Sequence, residues 1–556
     1  MKKKSSLFLA SLIAVSGFTA ACSAGGGDSK DAGSSSNSSG GSGDSKQVLN
    51  LYWGSDIPSM DSSLATDQVS FDTFNQVMEG LYTLDKDDKA IPGVAEGEPE
   101  ISKDGKTWTI KLRKDAKWSN GDPVTAKDFE FAWKRTVDPK TAAEYAYIMY
   151  DVKNAEAINS GKMKPEELGI KAIDDNTLEI QLEKNVPYFK ELLAFATFLP
   201  QNEKFVKEKG DKYGTTKENT LYNGPFVLNE WKTEEKFQLV PNKEYWDKDK
   251  VKLDEVNYAI IKDQQTSLNL YTTGKLDRVG LTAEQVSKYK KDPDFSTELQ
   301  SSVYFIRINQ QKNKDLQNKN LRLALAKSID KEKYVKTLLN NGAKATDYLT
   351  PGEFTLDKDG KDFNEGVKSP LNYDKEEAKK AYETAKKELG KDKFNIELLT
   401  YDADTSKKDA EYFKEQIETN LPGTSVTIKQ QPFKQKLDLE SKGNYDISFA
   451  GWGPDYPDPM TFLDMFVTDG PHNQTGYSNK EYDQLIDQAR GPLLDDTDKR
   501  WTTMQEAENK FLDDAVIIPM FQKGVARLTQ PHVKNFVTHK FGGDTTLKET
   551  YVEGKK

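Results

Sequence analysis

The side chains best placed to do chemistry lie in residues 444–466, NYDISFAGWGPDYPDPMTFLDMF. The first part has the pattern of a buried strand, and Gly451-Trp452-Gly453-Pro454 ends it. Three carboxylates follow, at Asp455, Asp458 and Asp464. Glycine beside tryptophan allows another backbone to approach an aromatic face, where a carboxylate could pair with an ammonium group. A well-packed turn with solvated acids is the alternative, and this pattern alone leaves both readings open.

Other chemistry has little support in the sequence. The chain has one cysteine, Cys22, and three histidines, His472, His532 and His539, with no HExxH motif. We therefore expect no metal site and no cofactor. No nucleophile elbow, P-loop or dinucleotide fingerprint indicates an enzyme. The 90 acidic residues leave a carboxylate pair possible, so a surface hydrolase or an adhesin stays open as an alternative of a different class.

Composition bounds the class of protein. The chain has 556 residues, 24 Tyr, 26 Phe and 8 Trp, which indicates a folded protein of several domains. Its formal net charge is −11, which argues against nucleic acid as a partner.

The first 46 residues predict export and anchoring. Residues 1–21 have a basic start and a short apolar stretch, which is typical of a signal peptide. The small residues before Cys22 resemble the lipobox of bacterial lipoproteins, in which the cysteine carries lipid, although Thr19 stands where leucine is usual. Ordinary signal cleavage with an incidental cysteine is the alternative. Residues 22–46, rich in Ser and Gly, then form a flexible tether.

The elements that must position the loop around Asp455 are both strands and helices. Residues 107–113, TWTIKLR, alternate apolar and polar side chains, as do the segments around Leu178–Leu182 and Val426–Ile428. Helical spacing of apolar residues predicts helices over 321–340, 375–389 and 498–512. The mixture indicates α/β lobes.

Several long segments resemble the oligopeptide-binding lipoproteins of bacterial ABC importers, which are family 5 solute-binding proteins. They include PGVAEGEPEISKDGKTWTIKLRKDAKWSNGDPVTAKDFEFAWKRTVDP at 92–139, NGPFVLNEW at 223–231 and AGWGPDYPDP at 450–459. The resemblance covers about residues 47–550. It implies a bilobed α/β fold of the type II periplasmic-binding-protein class, with two large lobes, a small extra lobe and hinge closure. By position, lobe I is 47–78, 203–304 and 521–550, the small lobe II is 79–202, and lobe III is 305–520.

The resemblance also implies the roles of site residues. The aspartate of its W-x-x-D-Y segment, which holds a peptide's α-ammonium group, matches Asp455. Gly451 and Trp452 match the backbone-contacting glycine and its aromatic neighbour, and Phe449 lies on the same strand edge. Tyr145 is a weaker candidate for the opposite wall and could be core instead.

This chain departs from the family at three positions where some members have basic side chains that meet the peptide's carboxylate. It has Ser406, Glu440 and Phe449 there. We therefore expect weak recognition of the peptide's C-terminus and a loose restriction on peptide length.

The function implied is that of a monomeric, lipid-anchored receptor outside the cytoplasm, on a Gram-positive surface rather than in a periplasm. It would capture extended oligopeptides and deliver them to an ABC permease. Alternatives on the same fold are a dipeptide, a signalling (pheromone) peptide or a metal chelate as the ligand.

Overall fold

The computed structural model describes residues 46–555. The predicted signal peptide 1–21, the lipidation site Cys22 and the tether up to residue 45 lie outside the described residues. Within 46–555 no helix has both the length and the apolar character needed to cross a membrane.

The first sheet brings together distant parts of the chain. Its four strands, in spatial order, are β1 (Val48–Trp53), β10 (Glu255–Ile260), β9 (Lys236–Pro241) and β8 (Phe226–Lys232). The first pair is parallel, with Val48 opposite Glu255, and the other pairs are antiparallel.

The part of the chain between β1 and β8 forms a small antiparallel sheet. Its order is β4 (Glu100–Ile101), β5 (Thr107–Lys111), β7 (Thr177–Gln181) and β6 (Ile170–Asp174). Trp108 and Ile110 of β5 are buried, with Ile180 and Leu178 of β7 opposite them. The alternation predicted for TWTIKLR is confirmed, because one face of this sheet packs on the core while the other meets solvent.

The third sheet has seven strands and contains the longest strands among the described residues. Its order is β11 (Arg278–Gly280), β17 (Ile517–Thr529), β12 (Phe295–Ile308), β16 (Ile447–Trp452), β14 (Phe394–Tyr401) and β15 (Thr424–Gln431), with β13 (Lys344–Ala345) paired to β17. The long strands β12 and β17 run side by side and connect β11 to the rest of the sheet.

Three two-stranded pairs complete the sheets. They are β2 (Tyr82–Leu84) with β3 (Ala90–Pro92), β18 (Val533–Lys534) with β21 (Tyr551–Val552), and β19 (Val537–Thr538) with β20 (Thr545–Thr546).

Helices pack around these sheets. They are α1 Gln68–Val77, α2 Ala126–Val137, α3 Ala155–Asn159, α4 Phe189–Leu192, α5 Glu203–Lys209, α6 Gln264–Thr272, α7 Ala283–Tyr289, α8 Lys319–Lys327, α9 Lys331–Tyr334, α10 Lys375–Leu389, α11 Asp404–Asn420, α12 Phe433–Ser441, α13 Met460–Leu463, α14 Lys480–Arg490 and α15 Thr497–Asp513.

The predicted helices are confirmed at 375–389 and 498–512, but the single helix over 321–340 is wrong. Helix α8 ends at Lys327, and the Ser328 hydroxyl donates to the Leu325 carbonyl. Asp330 then caps a new start, where its side chain accepts from the Lys333 amide. A π-helical turn, Val335–Leu339, follows α9. Local side-chain bonds to the backbone thus interrupt the helix that the apolar spacing predicts.

One continuous core runs through the first, small and seven-stranded sheets. A second, smaller core lies under α6 and α7, around Val279 of β11 and Leu528 of β17.

Candidate functional site

Two adjoining cavities form a cleft beside strand β16. The first has a volume of about 170 Å³ and the second a volume of about 700 Å³. They share the lining residues Gln68, Tyr304, Tyr401, Phe433, Lys523 and Asp544. Tyr145, Gly451, Trp452 and Asp455 line the first cavity, whereas Phe449 lines the second. The predicted site residues therefore come together along one cleft.

Asp455 lies just beyond the end of β16 and is only 4% exposed. The Tyr145 hydroxyl donates to its Oδ1 at 3.3 Å. Its Oδ2 is buried and has no hydrogen-bond partner among the described residues. Burial, and then the nearby carboxyl of Asp464, raise the pKa of Asp455 well above its usual range. A carboxylate in this position needs a cationic partner before it can hold its charge.

An aromatic wall surrounds this carboxyl group. The rings of Trp452 and Tyr145 are nearly parallel, at 5° with centroids 6.1 Å apart. The Trp452 indole donates to the Thr461 carbonyl at 3.0 Å, which fixes the ring. Tyr145 comes from a short 3₁₀ helix, Glu144–Met149, and packs edge-on against Phe71. Tyr145 is therefore both a core residue and part of the cavity wall.

Gly451 sits where two strands press closely together. It lies opposite Tyr304 of β12. A Cβ at Gly451 would come within 3.0 Å of the Tyr304 ring, which is closer than packed atoms normally approach. A larger residue at position 451 would have to displace this ring from the cleft wall.

The strand edge beyond Ser448 is open. On one side β16 pairs with β12 along its length, to Trp452. On the other side β14 pairs with it only at Ile447 and Ser448. Among the described strands none covers the remaining edge, residues 449–452. Backbone groups on such an edge can accept an added strand.

Phe449 packs away from the aspartate. Its ring contacts Tyr304 at 5.6 Å, Phe413 at 5.1 Å and Phe521 at 6.4 Å between centroids. It is 3% exposed and contributes an apolar surface to the larger cavity.

The other two positions at which the chain departs from the family also lie in the cleft. Ser406 lines the second cavity and Glu440 the first. Glu440 is buried against Lys436, with 2.8 Å between Oε1 and Nζ, and it accepts from the Ser448 hydroxyl at 2.7 Å. Coulombic attraction from Lys436 and then Arg307 outweighs the effect of burial and lowers the pKa of Glu440.

Sequence reasoning missed the four basic residues of the cleft lining. Arg307 and His472 line the first cavity, Lys408 the second, and Lys523 both. The Lys523 Nζ lies 3.8 Å from Asp544. No local motif marks these residues, because they reach the cleft from strands β12 and β17, from helix α11 and from the loop that carries His472. Arg307, Lys408 and Lys523 also supply positive charges in the cleft, which Ser406, Glu440 and Phe449 do not.

A metal site finds no support in the part of the chain that the structure describes, where no group of three or more His, Cys, Asp or Glu side chains is arranged to hold a metal ion.

These features define a class of protein. A four-stranded and a seven-stranded sheet with helices around them, and a cleft with a buried carboxylate, are typical of a receptor that encloses a small solute. The model of the bacterial extracellular solute-binding proteins, family 5 Middle, matches residues 89–474. The chain belongs to this family.

The relatives include peptide-binding proteins. The structure described as an oligopeptide ABC transporter from Bacillus anthracis, substrate-binding domain, is 50% identical with a TM-score of 0.90, and the match covers 91% of this chain and 99% of that one. OppA of Listeria monocytogenes bound to peptide is 46% identical with a TM-score of 0.88, over 91% and 99%. Among curated proteins, the dipeptide-binding protein DppE of Bacillus subtilis is 36% identical, over 89% of this chain and 90% of that one.

Two structures of one further relative indicate the conformational state. The Escherichia coli murein tripeptide binding protein MppA gives a TM-score of 0.83 at 29% identity, over 91% of this chain and 98% of that one. MppA in its unliganded open form gives only 0.59, at the same identity and similar coverage. The conformation of the chain is therefore more similar to that MppA structure and to peptide-bound OppA than to the unliganded open form of MppA.

Proposed function

We propose that this protein is an extracytoplasmic receptor that binds oligopeptides in extended form and delivers them to an ABC importer. The observation that carries the proposal is the buried, unpartnered Oδ2 of Asp455 at the end of an open strand edge. An extended peptide adds to residues 449–452 through backbone hydrogen bonds, which do not depend on its sequence. Its α-ammonium group then supplies the missing cation for Asp455.

The other site residues have distinct roles in this proposal. Trp452 and Tyr145 form the wall around the first peptide residue, and Gly451 allows the peptide backbone to approach. Phe449 contributes to the larger cavity, in which side chains are accommodated with water.

Closure joins the predicted lobes around the ligand. The proposed division is 47–78, 203–304 and 521–550 for lobe I, 79–202 for the small lobe and 305–520 for lobe III. Several contacts join the proposed lobes and would form only on closing, and two of them lie near the cleft. The Tyr145 hydroxyl reaches Asp455 from the small lobe, and Lys262 of lobe I pairs with Asp402 of lobe III at 2.9 Å.

Anchoring and partners are part of the same proposal. The family is one of extracellular solute-binding proteins, and a lipid on Cys22 would hold the monomer at the membrane beside its permease. Labelling cells with a fatty-acid analogue tests this, because the Cys22→Ala protein should lose both the label and its membrane association.

Native mass spectrometry of protein purified from its own cells tests the function. We expect retained masses that correspond to peptides without one fixed sequence, and no cleavage products when peptides are incubated with the protein. Retention of one non-peptide solute would refute the proposal, and hydrolysis would favour an enzyme.

Cavity size favours oligopeptides over dipeptides. An extended dipeptide spans only about 7 Å, whereas the cleft continues from a cavity of about 170 Å³ into a second cavity of about 700 Å³. In a series of peptides with a common N-terminal sequence, affinity should hold or rise from two to six residues. A tripeptide that bound more tightly than its longer versions would contradict loose recognition of the C-terminus.

A further inference from the structure

His472 is a buried histidine in the wall of the first cavity. It is 4% exposed. Its ring meets three aromatic rings edge-on, with centroid distances of 4.7 Å to Tyr145, 5.0 Å to Trp452 and 5.2 Å to Tyr147. Two of these rings also form the wall around Asp455, so the imidazole lies beside the proposed ammonium site.

The hydrogen bonding of His472 differs from that of the other two histidines. His532 Nε2 lies 2.8 Å from an oxygen of Asp277, and the His539 ring nitrogens contact Asp88 at 3.0 Å and Thr546 at 2.8 Å. The Nε2 of His472 is buried and finds no partner in the described part of the chain. Buried polar atoms are nearly always hydrogen-bonded, so this nitrogen still has the capacity to accept one hydrogen bond.

The charge state of His472 fixes what it can offer. No carboxylate forms a hydrogen bond or ion pair with its ring among residues 46–555. Burial, and then the positive charge of Arg307, lower its pKa to about 3. At neutral pH the ring is therefore uncharged, with one N–H donor and one nitrogen lone pair that can accept.

A primary ammonium group has three N–H donors, and two acceptors for them are already present. The Oδ2 of Asp455 is free. The Tyr145 hydroxyl donates to the other oxygen of Asp455, so its own lone pairs remain available to a further donor. These two residues leave the third N–H donor of the ammonium group without an acceptor.

We propose that His472 is the third acceptor of the ammonium site and that, with Asp455 and Tyr145, it selects ligands with a free primary amine. The inference rests on the proposed peptide-binding function and names a positioning residue for it. A neutral imidazole can serve as this acceptor, whereas a charged one would repel the ammonium group.

The test uses the full chain labelled with ¹⁵N-histidine, in which only three histidines contribute signals. Spectra of His472→Phe and His532→Asn assign the resonances. On titration with penta-alanine, the unprotonated ring nitrogen of His472 should shift as it accepts a hydrogen bond, while His532 and His539 stay unchanged. An unchanged His472 nitrogen in saturated protein would overturn the inference.

Affinities complete the test. His472→Phe keeps an aromatic ring without the acceptor and should weaken binding of penta-alanine by about 10- to 100-fold, which corresponds to one hydrogen bond to a charged group. His472→Gln should recover part of this loss, and the control His532→Asn should bind normally. For N-acetyl-penta-alanine, the wild type and His472→Phe should differ little.

Two outcomes separate this inference from the function on which it rests. If the wild type and His472→Phe bind penta-alanine equally, or if the loss is the same for the acetylated peptide, His472 is only a packing residue. If the wild type binds no peptide of any length, the proposed function fails, and this inference fails with it.

Discussion

Replacing Asp455 with asparagine isolates the charge of the candidate site. The side chain keeps its size, and the hydrogen bond from the Asp455 backbone amide to Thr461 Oγ1, 2.9 Å, is untouched. What disappears is the negative charge on a group that is 4% exposed. A bound α-ammonium group would then be buried without its counter-ion.

The size of the effect follows from that burial. A hydrogen bond to a charged group contributes about 1.5–3 kcal/mol, and leaving a buried charge unpaired costs about 3–5 kcal/mol. We expect a loss of about 2–4 kcal/mol in binding free energy, which raises Kd about 30- to 1000-fold. An N-acetylated peptide carries no ammonium group and should lose little.

The same substitution should stabilise the empty protein. The pKa of Asp455 is raised by burial. A carboxyl with a raised pKa favours the folded state fully only below its unfolded pKa, and this contribution is lost as pH rises through the folded value. At neutral pH the asparagine variant therefore melts at a higher temperature while it binds more weakly.

Isothermal titration calorimetry with penta-alanine and its N-acetyl form, together with thermal unfolding, measures these effects. Asp469→Asn is the matched control, since it is the same change at an exposed aspartate that lines neither cleft cavity. Equal losses for the free and acetylated peptides would refute the role of Asp455 as the ammonium partner. A lowered melting temperature of the asparagine variant would refute the assignment of Asp455 as a buried carboxyl without a partner.

Three further predictions concern neighbouring residues. Glu440→Gln leaves Lys436, which is 0% exposed, without its partner, so urea unfolding should show a loss of about 3–5 kcal/mol that a second change, Lys436→Met, largely restores. Gly451→Ala brings a Cβ within 3.0 Å of the Tyr304 ring; calorimetry and unfolding should show weaker peptide binding and a stability loss of about 1–3 kcal/mol. The pKa of His472 is lowered from 6.5 to about 3, so folding keeps this ring neutral at a pH where the unfolded chain would protonate it. The contribution of His472 to the free energy of unfolding is therefore full above pH 6.5 and falls by about 2 kcal/mol by pH 5. His472→Gln should remove that part of the pH dependence.

Local patterns in the sequence predicted those helices and strands whose structure depends mainly on their own residues. The alternation of residues 107–113 and the apolar spacing of residues 375–389 correspond to β5 and α10. The unusual residue types clustered at 450–459 also indicate a loop that lines the cleft, and the role of Asp455 in it stays a prediction. In these cases the physical cause lies within ten or so neighbouring residues.

Long-range pairing accounts for what the sequence could not show. Strand β1 pairs with β10 across about two hundred residues, with Val48 opposite Glu255. The bond between Tyr145 and Asp455 joins positions 310 residues apart. Lys523 reaches the cleft only because β17 lies beside β12. No period or motif near these residues encodes such contacts.

The unpartnered atoms of Asp455 and His472 have a consequence for how the receptor delivers peptides to the importer. A copy that closed without cargo would bury both atoms unsatisfied, each at about 1–3 kcal/mol. Together these costs disfavour empty closure by about 30-fold or more. An importer that responds to the closed shape would then rarely meet an unloaded copy, and its ATP would be hydrolysed mainly when a peptide is present. On the proposed function, the incomplete hydrogen bonding of the cleft would thus disfavour transport without a bound peptide.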